Sequence, residues 1–129
     1  MTPYRFVPHT ADVAVELTAT DFDGLRRAGV DALRELLVGR SEVRPAEERA
    51  VAPRGNDDAE RLVHFLADAL YLYDTERFVP AGVTPGGIRG EPFDPARHEA
   101  QPEVKAVTWH GAEVERTKDG FRVTIVFDV

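Results

Sequence analysis

Three patterns in this sequence predict an α+β fold: two layers, with two amphipathic helices on one face of a largely antiparallel sheet. The first is the order of elements, in which a strand signal, a helical stripe, a weak strand and a second helical stripe precede a run of β-rich segments. The second is the length of the two stripes, each preceded by a capping residue. The third is a hairpin, in which Lys118-Asp119-Gly120 turns the chain between Val114–Thr117 and Phe121–Val129. At 129 residues the whole chain, 1–129, has the size of one domain with a single core.

Tyr4 to Pro8 is a short extended segment punctuated by Pro3 and Pro8. From Asp12 the residues alternate. Val13, Val15 and Leu17 fall on one face, while Asp12, Ala14, Glu16 and Thr18 fall on the other, which predicts a half-buried strand. Asp21 offers a helix cap, Leu25, Ala28, Ala32, Leu33, Leu36 and Leu37 recur at helical spacing, and Gly39 supplies the stop. Arg26, Arg27, Asp31, Arg34 and Glu35 then make the solvated face of that helix. The charged stretch Val43 to Pro53, with Ala50-Val51-Ala52 inside it, suits an edge strand.

Asn56 or Asp57 caps the second helix, whose buried stripe is Ala59, Leu62, Val63, Leu66, Ala69, Leu70 and Tyr73, widened by Phe65 and Leu72. Arg77 to Thr84 is a strand weakened by Pro80 and Gly82, followed by a turn at Pro85-Gly86-Gly87. Gly90 to Pro95 has no periodicity and is read as an ordered loop, and Val104 to His110 is β-rich. In the final strand Phe121, Val123, Ile125, Phe127 and Val129 share one face, with Arg122, Thr124, Val126 and Asp128 on the other.

Composition narrows the function. An apolar share of 43% with 30% charged residues is that of a globular chain, not of a disordered one. The absence of cysteine confines any metal to oxygen or imidazole ligands, which favours hard cations. A net charge of -7 opposes direct gripping of phosphate backbones, so no strong nucleic-acid binding is expected. No apolar run approaches the roughly 20 residues of a membrane span, and the N-terminus lacks a basic and apolar leader, so a cytoplasmic protein is expected.

Asp12 begins one strand and Asp128 ends another, each opposite its strand's apolar row. If the two strands are antiparallel neighbours, both carboxylates meet at one edge of the sheet, within reach of the α-carboxylate of Val129; such an anionic cluster invites a divalent cation. If the strands are not adjacent, both aspartates are simply solvated. His9 lies close enough to join such a site or to orient a ligand. His64, His98 and His110 have no paired ligand spacing and are read as surface or satisfied histidines. No GxSxG is present, Ser41 is the sole serine, and neither a Walker-type loop nor GxGxxG occurs, so no catalytic apparatus is legible and a non-enzyme is expected.

His9-Thr10-Ala11-Asp12-Val13, Gly90-Glu91-Pro92-Phe93-Asp94-Pro95, His98-Glu99, Glu103-Val104-Lys105-Ala106-Val107-Thr108 and Val126-Phe127-Asp128-Val129 occur in an order that resembles the archease family nearly end to end. The resemblance implies a metal-binding accessory protein. It would activate an RtcB-type RNA ligase of tRNA splicing and RNA repair, promoting the ligase's guanylylation by GTP and its multiple turnover, and would meet tRNA only through the ligase. The family's metal positions fall on Asp12, Asp128 and Val129, with His9 alongside and Ca, Mn or Mg as the ion. Lys105 matches the family lysine and is assigned to partner or nucleotide contact. A general chaperone or interaction module with a structural metal is the alternative. The stretch between Phe78 and Gly90 is shorter than the family pattern, which leaves the strand count there open.

Overall fold

A computed structural model describes residues 3–7, 12–108 and 114–129. Among these, eight strands and two helices follow in the order β1 (Tyr4–Val7), β2 (Asp12–Ala19), α1 (Phe22–Val38), β3 (Glu47–Ala50), α2 (Asp58–Glu76), β4 (Phe78–Thr84), β5 (Gly87–Pro92), β6 (Ala106–Thr108), β7 (Glu115–Thr117) and β8 (Gly120–Asp128). The fold is α+β, and every strand pair is antiparallel.

The strands form two sheets, where the sequence suggested one. The larger has the order β1-β2-β8-β6, with β7 pairing β8 beside β6; the smaller has the order β3-β5-β4. The second sheet exists because Gly87 to Pro92 is a strand, so Gly90 to Pro92 are not loop residues as expected from their lack of periodicity. Gly90 lies so close to β4 that an added Cβ would stand 2.0 Å from the Val79 carbonyl oxygen, which accounts for a glycine there. The stretch that is short against the family pattern is a β4–β5 hairpin closed by a two-residue turn at Pro85-Gly86, with a register shift between Pro80 and Gly82.

Both helices touch both sheets: α1 packs on β2 and β4, and α2 on β4 and β6. Asp21 caps α1 by accepting the Gly24 N–H at 2.7 Å, Asp57 caps α2 by accepting the Glu60 N–H at 2.8 Å, and Gly39 ends α1 with φ 61°. The expected stripes are buried except for Leu36 and Leu72, which are half-buried; Gly29 is buried with them, where a methyl group would meet both Leu66 methyls at 2.9 Å, so the glycine lets the helices approach closely.

Contact with two sheets gives α1 a second buried side. Arg26, read from sequence as part of the solvated face, is 7% exposed. It donates from Nη2 to the Thr84 carbonyl at 3.1 Å, pairs with Asp23, and stacks 4.2 Å over the Phe65 ring. Arg34 donates to the Ala81 carbonyl at 2.8 Å. β4 is an edge strand of the smaller sheet, and these two arginines of α1 donate to its carbonyls. Arg27 is exposed, as expected.

Candidate metal centre

The β2–β8 ladder aligns Asp12 directly with Asp128, followed by Val13 with Phe127 and Val15 with Ile125. The condition set by the sequence is therefore met: the two strands are antiparallel neighbours. Residues facing each other in this way have Cβ atoms about 5 Å apart on the same side of the sheet. Both aspartates are partly buried; Asp128 follows the fully buried Phe127, and Asp12 precedes Val13, which packs half-buried against the core.

On the other side of β8, Ala106 aligns with Asp128, and the Lys105 N–H donates to the Asp128 carbonyl at 2.7 Å. Lys105 is exposed, so its side chain projects to solvent from a backbone tied to Asp128. Val129 follows at the strand end, 43% exposed. Asp12, Asp128, Val129 and Lys105 thus share one end of the larger sheet. His9 and His110 lie outside the described residues. Among the described residues no group of three or more histidine or acidic side chains gathers as a metal cluster.

The donor chemistry of this end fits a hard divalent cation. Carboxylates facing across a strand pair repel one another, and oxygen ligands on a solvent-accessible edge are what calcium, manganese or magnesium accept.

A second polar centre escaped the sequence reading. Glu91, 6% exposed, accepts from Arg97 through both carboxylate oxygens, from the Arg44 N–H at 2.6 Å and from His98 Nε2 at 3.1 Å. Every partner is a donor. The Asp94 N–H donates to His98 Nδ1 at 2.9 Å, which places the ring proton on Nε2, toward Glu91. His98 is therefore a satisfied buried histidine, as expected, and the arginine hydrogen bonds, aided by those from Arg44 and His98, draw the Glu91 pKa down to about 2. The acid at 91 followed by arginine and histidine at 97 and 98 was the available signal. His64 lies on α2 with Nδ1 3.0 Å from the Arg54 carbonyl, consistent with a structural role.

Residues 4–129 match the family model described as Archease protein family (MTH1598/TM1083). The chain belongs to the archease family. A Methanopyrus kandleri protein described as Protein archease is 32% identical over 92% of each chain. The solution structure of Methanobacterium thermoautotrophicum protein 1598 superposes with a TM-score of 0.81 at 26% identity, covering 100% of both chains. A Thermotoga maritima crystal structure, described as an archease and possible chaperone, superposes with a TM-score of 0.63 at 20% identity over 95% of this chain and 94% of that one, a likeness of fold. In this archease Asp12 and Asp128 face each other across β2 and β8, and among the described residues no helix is long and apolar enough to cross a membrane.

Proposed function

We propose that this archease is a metal-binding accessory protein that activates an RtcB-type RNA ligase of tRNA splicing and RNA repair, and is not itself an enzyme. The observation that carries the reading is the direct alignment of Asp12 with Asp128 beside Lys105. Membership of the family supports the same reading. Asp12, Asp128 and an oxygen of Val129 would hold a divalent ion, which would supply positive charge for arranging phosphate oxygens where the ligase takes up guanylate. The chain's own part is positional: β2 and β8 fix the two carboxylates, and Lys105 presents an ammonium toward ligase or nucleotide. The net charge of -7 agrees with an RNA role exercised through the ligase.

The test is transfer of labelled GMP to the ligase under multiple turnover, with and without this protein. Wild type is expected to raise both rate and turnover and to show no ligation or GTP hydrolysis alone. Asp12→Asn and Asp128→Asn should abolish activation with unchanged circular dichroism and should lower Mn²⁺ affinity at least ~10-fold in calorimetric titration. Lys105→Ala should weaken activation and leave Mn²⁺ affinity intact. If the folded aspartate variants activate as well as wild type, a general interaction module replaces the metal-centred reading.

A further inference from the structure

The segment 93–105 is the sole described connection from β5 of the smaller sheet to β6 of the larger, and it is tied down along its length although it contains no helix or strand. At its start, the Asp94 carbonyl accepts from the Arg97 and His98 N–H groups at 3.0 and 2.7 Å. In its middle, the Glu99 N–H donates to Ser41 Oγ at 2.9 Å and the Gln101 N–H to the Leu37 carbonyl at 3.0 Å, docking it on the C-terminal end of α1. Toward its end Val104 is buried in the core, and Lys105 meets the Asp128 carbonyl.

Glu91 anchors this crossover from the β5 side. Its carboxylate holds Arg97 and His98 of the segment, and it also receives the Arg44 N–H from the other crossover, 39–46, which leads from α1 to β3. One buried acid therefore fastens both crossovers. An ionised carboxylate presents acceptors on both oxygens, whereas an amide in its place would turn one oxygen into a donor facing donors.

We infer that Glu91 is a positioning residue for the Asp128 and Lys105 end of the larger sheet, acting through His98, Arg97 and the hydrogen-bonded crossover that ends on Lys105. The consequence for activation rests on the role proposed above for Lys105; the mechanical link does not. Glu91→Gln loosens the anchor, the crossover loses its register over α1, and the Lys105 amide leaves the Asp128 carbonyl more often, while the β2–β8 ladder stays closed.

Amide hydrogen exchange of the full chain, followed by NMR, tests the link without the ligase. In Glu91→Gln, protection of the Lys105 and Gln101 amides is expected to fall at least ~10-fold relative to amides of the β2–β8 ladder in the same sample, a ratio that uniform loss of stability does not move. Arg97→Lys, which keeps the charge but not the two-pronged contact, should give a smaller loss in the same amides. GMP transfer then tests the consequence: Glu91→Gln should impair activation, and Glu91→Gln combined with Lys105→Ala should be no worse than Lys105→Ala. If protection at Lys105 changes only in step with the ladder, or if Glu91→Gln does not unfold less readily than it loosens Lys105, the positioning role is overturned. If Lys105 loosens selectively while wild type fails to activate any ligase, the positioning role stands and the activator reading falls.

Discussion

At the scale of single residues, the partners of Glu91 set its titration and make acid stability its readout. Its carboxyl is drawn from 4.5 to about 2 in the folded protein, chiefly by the Arg97 hydrogen bonds. A depressed carboxyl pKa contributes its full stability above the unfolded value, near pH 4.5, and loses it as pH falls toward about 2. Urea unfolding across that window should therefore show wild type losing stability on acidification, with a shallower slope for Glu91→Gln. At neutral pH the variant should be less stable by about 2–3 kcal/mol, because buried donors lose an acceptor. The facing of Asp12 and Asp128 was legible in the sequence because each sits at the end of a regular alternation. Glu91 was not, because its neighbours Gly90 and Pro92 break the pattern and the Arg44 N–H comes from 47 positions away.

At the scale of elements, α1 shows what a helical stripe leaves unsaid. Its leucine and alanine side was legible from spacing alone, but the burial of Arg26 depends on a second sheet whose strand β5 carries no clean alternation. Arg26→Ala should cost about 2 kcal/mol, since it strips a donor from the Thr84 carbonyl and a cation from the face of Phe65, whereas exposed Arg27→Ala should stay within about 0.5 kcal/mol. Paired thermal melts of the two variants decide whether the arginines differ as described. For α2, loss of the cap in Asp57→Ala should cost about 1 kcal/mol, measured by chemical denaturation. The β4–β5 hairpin should be less forgiving: Gly90→Ala forces a methyl group toward the Val79 carbonyl, and lower expression or a lowered melting temperature is expected.

At the scale of the whole molecule, the most informative feature is that Asp12 and Asp128 belong to neighbouring strands drawn from opposite ends of the sequence. Closing so long a loop is entropically costly, and its pairing is rewarded only after α1, α2 and the β4–β5 hairpin have given the two strands a surface to meet on. The helices are local and can form early; the two carboxylates become neighbours late. Ion capture should then act as a clock for the end of folding. In a stopped-flow refolding experiment, helical ellipticity should recover in an earlier phase than the uptake of Mn²⁺, and Mn²⁺ should slow unfolding more than it speeds folding. A half-folded chain, helices in place, would have nothing yet to offer a cation.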